Sequence, residues 1–445
     1  MKRQSPSLKQ SGHNILAPLP DGDWIVINPL AQNADVMSPA EARGLAEQEY
    51  KDVETLQGRG YVVDPEEEAK RFRRAYLDFI RRRDNEEIQL FFVPGYGCNF
   101  ACDYCYQESY ETNGGANIDV VDAFLAYVDT AFAGKQKYVT LFGGEPLLPG
   151  ASRRATLSRL VEGLRQRHID LAVVTNGYHL KSYLPVLTTA HIREIQITLD
   201  GVAKTHDARR PLHGGGRTFD RVVAAVNACL NAELNVNLRV VLDRNNLNGL
   251  VDLAAFAQHQ GWTASPHFKT QLGRNYELHT CPAHPERLYS RLELYQALHG
   301  LYKEHPDLLD FHRPDFSVSR GLIESGTLPG PVFDACPGAK TEWAFDATGK
   351  IFACTATVGK PGEELGRFYP TVELNDDAVE QWESRDVLSI EACRNCPTQL
   401  ICGGGCAAMA RNRTGRLSET DCRPVPEMIA LGVDLYRGHE RTTNV

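Results

Sequence analysis

No run of about eighteen apolar residues occurs anywhere in the sequence, and the opening Met1-Lys-Arg-Gln-Ser carries no hydrophobic segment. Neither a membrane span nor a secretory signal is expected, which leads to a cytoplasmic protein. An excess of positive charge is missing too: 48 Lys and Arg face 57 Asp and Glu, a formal net charge of −9. Binding a nucleic-acid backbone is therefore an unlikely main task by charge, and no nucleic-acid partner is expected. The one dense basic run, Lys70 to Arg83, falls on a helical pattern and reads as a solvated face or an interdomain surface. What is present is ordinary for a globular chain: 445 residues, 42% hydrophobic and 24% charged, enough for two to three domains. Twelve cysteines stand out, and in a reducing compartment they read as metal ligands before disulfides.

Residues 1–85 read as a small α+β unit. Short strands at 14–17 and 24–28 flank the turn Pro20-Asp-Gly-Asp23 and predict a hairpin. Ser38-Pro-Ala-Glu41 supplies a serine cap, a proline at the first helical position and a glutamate three on, opening a helix to about Gln48. A shorter helix over 52–57, a strand over 61–63 and a long helix over 65–83 follow. Residues 86–270 alternate strands (88–93, 138–142, 170–175, 194–199, 235–242, 265–269) with helices (118–133, 153–167, 182–188, 218–231, 247–260). That alternation implies a parallel sheet with helical crossovers. Six strands rather than eight predict a partial (β/α)6 TIM-like barrel, with chemistry at the C-terminal ends of its strands. Residues 271–330 bridge to a cysteine-rich unit over 331–445; they hold Cys281 between His279 and His284, and a helix over 285–304.

The densest chemical signal follows the first barrel strand: Cys98-Asn-Phe-Ala-Cys102-Asp-Tyr-Cys105. Thiols this close converge on one soft metal centre if the backbone wraps around it, and Gly95 and Gly97 loosen the turn leading in. Three thiolates leave one corner of a four-iron cluster open; a structural zinc site, the alternative, wants four protein ligands, and no fourth is near. The spacing C-x3-C-x2-C, with Tyr104 directly before the third cysteine, resembles the cluster loop of radical S-adenosylmethionine (SAM) enzymes. The resemblance implies a [4Fe-4S] cluster on Cys98, Cys102 and Cys105 whose open iron is chelated by SAM.

The second strand ends in Gly143-Gly144-Glu145-Pro146, where two glycines let a backbone approach a ligand and a carboxylate can accept from an ammonium group. It is similar to the family's GGEP motif, which implies that Gly143, Gly144 and Glu145 hold the SAM amino group. The third and fourth strands end in Thr175-Asn176-Gly177 and Thr198-Leu199-Asp200-Gly201. These could be plain strand-to-loop turns; the resemblance places Thr198 and Asp200 near the SAM ribose or the substrate and adds Tyr104 and Thr175 to the cofactor-binding set. Arg239, alternating with apolar neighbours, would be a costly buried charge without a partner, and is a candidate for the SAM carboxylate. Thr205-His206-Asp207-Ala-Arg209-Arg210 and Gly214-Gly-Gly216 resemble the histidine-containing loop and glycine-rich segment of SPASM-type members, and read as a flexible loop at the substrate mouth. Cys229 sits on an amphipathic helix as a small core residue.

The C-terminal third carries Cys336, Gly349-x4-Cys354, Cys393-x2-Cys396-x5-Cys402-x3-Cys406 and Cys422. The pattern is similar to the SPASM domain, which implies two auxiliary clusters and three clusters in all. Cys393, Cys396, Cys402 and Cys422 would hold the outer one; Cys336, Cys354 and Cys406 would hold the inner one, a ligand short. Cys281, Asp334 or an open iron are the alternatives for that position. Zinc survives as a reading for the isolated pair Cys393 and Cys396.

With the resemblance spanning about residues 86–430, it implies a radical SAM oxidoreductase of the SPASM type, served by a flavodoxin- or ferredoxin-type reductant. SPASM relatives mostly modify ribosomal peptides, and residues 1–85 are similar to the winged-helix modules that bind a leader peptide, with a structural cap on the barrel as the alternative. The first expectation is thus a maturase that takes a hydrogen atom from a precursor peptide and forms a carbon–carbon or thioether link. An anaerobic sulfatase-maturing-type oxidase is the second, although those place an aspartate where this chain has Thr355. A small-molecule dehydrogenase is a third, and a non-catalytic iron–sulfur or zinc-binding module is the reading from another class.

Overall fold

The computed structural model describes residues 8–110, 114–275 and 285–443. In the N-terminal unit, β1 (Lys9–Gln10) pairs antiparallel with β5 (Val62–Val63), and β2 (Ile15–Pro18), β3 (Trp24–Asn28) and β4 (Asn33–Met37) form an antiparallel sheet. The expected hairpin is β2–β3, with Ile15 opposite Ile27. β4 was not legible in its short Asn-Ala-Asp-Val-Met sequence. Ser38 and Glu41 do form a capping box at the helix Pro39–Ala46, and this satisfies two backbone donors of the first turn. Ile15, Ala17, Leu19, Ile25 and Ile27 are buried against Val425, Ile429 and Val433 of the C-terminal helix Val425–Thr443. The long helix Pro65–Asp84 lays Phe72, Tyr76 and Phe79 around the fully buried Phe333, beside Leu400 and Cys393. Its arginines Arg71, Arg73, Arg74, Arg81 and Arg82 stay exposed on the other side, so the basic run is both solvated face and interdomain helix.

The barrel strands are β6 (Ile88–Val93), β7 (Lys137–Leu141), β8 (Asp170–Thr175), β9 (Ile192–Thr198), β10 (Val236–Leu242) and β11 (Phe268–Arg274). They lie parallel in the order β11-β10-β9-β8-β7-β6, the partial (β/α)6 arrangement that strand–helix alternation predicts. Helices Ile118–Ala131, Ala151–Gln166, Leu180–Leu187, Phe219–Asn231 and Leu250–His259 connect them. Leu90, Phe92, Val139, Leu141, Leu171, Val173, Ile195, Ile197, Leu238 and Val240 are almost wholly buried in the resulting core. Each such side chain contributes about 1.5–3 kcal/mol of transfer free energy.

Three elements differ from expectation. β11 starts at Phe268 rather than 265, because Ser265 and Phe268 close the turn that follows the buried Trp262, with Ser265 N donating to Trp262 O at 3.0 Å and Phe268 N to Ser265 O at 3.2 Å. The segment around Thr205–Arg210 is not a loop but the helix Ala203–Arg209, whose Asp207 side chain also caps the next helix, accepting from Thr218 N and Phe219 N at 2.8 Å each. Helix 285–304 is broken: a 3-10 turn Pro285–Arg287 precedes Arg291–Glu304, which restarts on its own capping box of Ser290 and Glu293. His279, Cys281 and His284 lie outside the described residues.

The cysteine-rich unit adds β12 (Glu342–Asp346), β13 (Lys350–Phe352), β14 (Glu364–Arg367) and β15 (Glu373–Leu374). β12 runs parallel to β6, and β13 to β15 continue antiparallel from it. One ten-stranded sheet therefore runs through both units.

Candidate functional site

After β6 the chain turns through Gly95 and Gly97 into the cysteine loop, which two segments clamp. From the end of β7, Gly144 N donates to Gly95 O at 3.2 Å and Glu145 N to Gly97 O at 2.8 Å. A Cβ on Gly144 would lie 2.2 Å from Tyr96 O and 2.4 Å from Gly97 O, and one on Gly143, at φ 137°, would lie 2.7 Å from Gly95 O. The glycines thus permit an approach of backbone to backbone. On the opposite side, Ala101 N donates to Pro211 O at 2.8 Å and His213 N to Asn99 O at 3.0 Å, while Phe100 pairs with Leu212 in an isolated bridge. The glycines 214–216, expected in a flexible loop, close the turn behind this clamp, where Leu212 N donates to Gly216 O at 3.0 Å.

Two expected site carboxylates lie behind the cavity wall. Glu145, 3% exposed, accepts from Leu147 N at 2.9 Å, Thr175 Oγ1 at 2.7 Å and Asn176 N at 2.7 Å, tying the end of β7 to that of β8. Burial pushes its carboxyl pKa up, and those donors oppose the rise. Asp200 accepts from Tyr104 OH at 2.5 Å, Val241 N at 2.9 Å and Arg209 Nε at 3.3 Å, and Arg209 Nη1 goes on to Asp243 at 2.8 Å. The other expected residues, Cys98, Cys102, Tyr104, Cys105, Gly143, Gly144, Thr175, Thr198 and Arg239, line one cavity of about 270 Å³. Thr355 and Ala356 of the cysteine-rich unit complete its wall.

His206 is wholly buried, and its Nδ1 accepts the Asp200 N–H at 3.2 Å. Burial, helped by the nearby Arg210 charge, pushes its pKa down to about 3. The folded state then binds fewer protons than the unfolded one, so this contribution is complete above the ordinary value of 6.5 and is lost as pH falls toward 3. Between pH 6.5 and 5 the loss from this group is about 2 kcal/mol. Denaturant titrations at pH 7 and pH 5 should show His206→Asn with a correspondingly smaller pH dependence than the parent; equal dependence would contradict it.

Reasoning from sequence passed over Arg210. Its guanidinium is buried in the same wall: Nη1 donates to Tyr104 OH at 2.5 Å, and Nε has no acceptor. Burial works against this charge, but Cys102, Tyr104 and Asp200 outweigh it and hold the guanidinium pKa well above its usual value. Asn99 Nδ2 and Gln107 Nε2, flanking the thiols, are buried donors without acceptors as well. Three orphaned N–H groups around three thiols suit a group that is anionic and rich in acceptors, and an iron–sulfur cluster on thiolates has that chemistry. Burial pushes the Cys98 and Cys102 thiols up to about 11 and raises Cys105, so ligation must expel their protons; Arg210 eases this at each. An arginine pair after His206-Asp207 was the available signal, but nothing in the sequence places it against the cysteines.

All eleven cysteines among the described residues are free thiols, and among those residues no three His, Cys, Asp or Glu converge on a single metal ion. The C-terminal thiols nevertheless fall into two neighbourhoods. Cys336 and Cys406, with Glu342, surround Cys354; Cys402, Cys396 and Cys422 surround Cys393. Glu342 accepts from Thr355 N at 3.1 Å, and burial pushes its carboxyl up to about 7. Asp334 is already committed, paired with Lys340 at 2.5 Å and accepting from Cys336 N at 2.9 Å. Between the two neighbourhoods Arg385, 2% exposed, donates to the carbonyls of Leu417 (2.6 Å), Gly404 (2.9 Å), Glu419 (2.9 Å) and Gly405 (3.2 Å). Cys229 is buried in the core beneath its helix.

The radical SAM superfamily model matches residues 92–257, from the end of β6 to the helix after β10. The barrel is a radical SAM domain. Radical SAM domains work with a [4Fe-4S] cluster and SAM. The mycofactocin maturase MftC of Mycobacterium ulcerans is 26% identical over 334 residues, covering 70% of this chain and 81% of that protein. The GTP 3′,8-cyclase of Nautilia profundicola is 30% identical over 170 residues, 37% of this chain and 51% of that protein. In fold, the chain is similar to anSMEcpe with bound AdoMet and Cp18Cys peptide, at TM-score 0.60 and 18% identity, covering 81% of this chain and all of that one. It is also similar to Streptococcus suis SuiB bound to precursor peptide SuiA, at TM-score 0.54 and 14% identity, covering 94% and 99%. Among the described residues no helix is long and apolar enough to cross a membrane.

Proposed function

We propose that this chain is a SPASM-type radical SAM oxidoreductase that matures a ribosomally made precursor peptide, installing a carbon–carbon or thioether link. The observation that carries the reading is the cysteine cavity at the C-terminal ends of the barrel strands, lined by three thiols and by Gln107 and Arg210, each with an unpartnered N–H donor. Likeness to the mycofactocin maturase over 70% of the chain supports the substrate class. When bound, the cluster and SAM supply a 5′-deoxyadenosyl radical that removes a hydrogen atom from unactivated carbon. Cys98, Cys102 and Cys105 hold the cluster, and the clamp from β7 and from the segment after Arg209 fixes their loop. Gly143 and Gly144 keep backbone against the bound sulfonium nucleotide. Arg210, cationic and with Nε unpartnered, is the cation for the SAM carboxylate; Arg239 lies where this cavity meets the barrel lumen. Cys393, Cys396, Cys402 and Cys422 form the outer auxiliary set and Cys336, Cys354 and Cys406 the inner one. Residues 1–85, seated on the cysteine-rich unit, hold the leader, and a flavodoxin- or ferredoxin-type protein delivers electrons.

The test is the Cys98/Cys102/Cys105→Ala protein, reconstituted without oxygen. It should lose about four irons per chain and all 5′-deoxyadenosine formation from SAM and a reductant. Continued cleavage would remove the assignment.

A further inference from the structure

Closed (β/α)8 barrels fill their interiors with layers of branched apolar side chains. This six-stranded one does not. Gln89, Thr140, Glu194, Gln196, Arg239, Lys269 and Gln271 line a lumen cavity of about 420 Å³, which shares Phe142, Val174, Gln196, Arg239 and Thr355 with the cysteine cavity above it.

Most of these polar groups are spoken for. Gln89 Nε2 donates to Thr140 Oγ1 at 2.8 Å, Glu194 accepts from Asn237 Nδ2 at 2.9 Å and pairs with Lys269, and Arg193, also in the lining, is held by Glu87 at 2.5 Å. Three are not. Among the described residues the side chains of Gln196, Arg239 and Gln271 make no hydrogen bond or ion pair, although their backbones belong to the sheet ladder. They belong together: Arg239 on β10 is in register with Gln271 on β11, and Gln196 on β9 is in register with Asn237, two residues before Arg239. Gly273 leaves the guanidinium its space, since a Cβ there would stand 3.3 Å from Arg239 Nη2. A half-buried guanidinium without a counter-charge is costly, and two flanking amides can each donate to the same acceptor.

We propose that Arg239, with Gln196 and Gln271, binds a carboxylate side chain of the peptide substrate, so that an aspartate or glutamate enters the lumen at or next to the residue that is modified. This rests on the peptide-maturase reading and adds what the substrate must carry. A bidentate carboxylate suits the planar fork of arginine, and the amides supply the remaining donors. Recruiting the carboxylate below the thiols leaves Arg210 to the cofactor.

The experiment uses full-length reconstituted protein and synthetic pentapeptide pools, randomised except for a central Asp, Glu, Gln, Ala or Lys. Retention on the immobilised enzyme should favour Asp- or Glu-centred pools over Gln-centred ones at least tenfold. Arg239→Gln should erase that preference, and Arg239→Glu should turn it toward Lys-centred pools. No preference in the parent protein would overturn the inference. So would a loss of SAM affinity in Arg239→Gln, measured by equilibrium dialysis without peptide, because the guanidinium would then belong to the cofactor. Should the parent protein fail to cleave SAM at all, the maturase reading falls instead, and that outcome is separate from the pool measurement.

Discussion

Replacing Arg385 by methionine should displace the cysteines of both C-terminal thiol neighbourhoods, and with them the auxiliary iron that the proposed function assigns there. The guanidinium donates to four carbonyls, two of them in the 403–405 glycine turn that joins Cys402 to Cys406, where the backbone runs at φ 59°, 74° and 70°. Methionine fills much of the volume but takes away the side-chain donor of the Leu417, Gly405 and Glu419 carbonyls, while Gly404 O keeps Asp421 N at 3.2 Å. Hydrogen bonds to a charged group are worth about 1.5–3 kcal/mol each, and each buried carbonyl left unsatisfied costs about 1–3 kcal/mol. Iron content after anaerobic reconstitution should fall toward the share of the loop cluster alone, with a lowered unfolding midpoint. Arg385→Lys should be nearly as damaging, since one ammonium group cannot fan out to four carbonyls. Unchanged iron content and stability in both variants would show that the turn holds its shape unaided.

A comparable loss, confined to the cysteine loop after β6, is expected from Gly144→Ala. The added methyl group would meet two backbone oxygens at 2.2 and 2.4 Å, neither of which can swing aside as a side chain would. Tyr96 and Gly97 must shift, and with them the start of the loop that presents Cys98. Overpacking of a tight core site costs about 1–3 kcal/mol, and rigid backbone puts this case at the upper end. The loop cluster should be lost, and 5′-deoxyadenosine formation should drop at least a hundredfold with far-ultraviolet circular dichroism unchanged. Gly300→Ala, inside the helix Arg291–Glu304 with nothing within 4 Å, serves as the comparison and should be neutral or stabilising by up to about 1 kcal/mol. Normal SAM cleavage by the Gly144 variant would refute the clamp.

Period and punctuation made most of the barrel legible, because alternating apolar strands and capped helices are local signals. The hairpin at Pro20–Asp23 and the capping box at Ser38 were readable for the same reason. What escaped was set by distant partners. β4 is short, carries Asn33 and Asp35 among its five residues, and is a strand because β3 offers it an edge. Ala203–Arg209 looked like a loop, and its helix is fixed by Arg209 reaching Asp200 and Asp243, just beyond the ends of β9 and β10. At the site, cysteine spacing and strand-end glycines could be read directly. The assignment of Glu145 as ligand-facing could not foresee three internal donors taking up its oxygens, nor could the sequence bring Arg210 to the thiols across a hundred residues of chain.

The pairing of β12 with β6 also imposes an order of events on the newborn chain. β6 (Ile88–Val93) leaves the ribosome long before β12 (Glu342–Asp346), the strand that covers its outer edge. Until then the first barrel strand presents bare amides and carbonyls to any passing sheet, a state prone to aggregation.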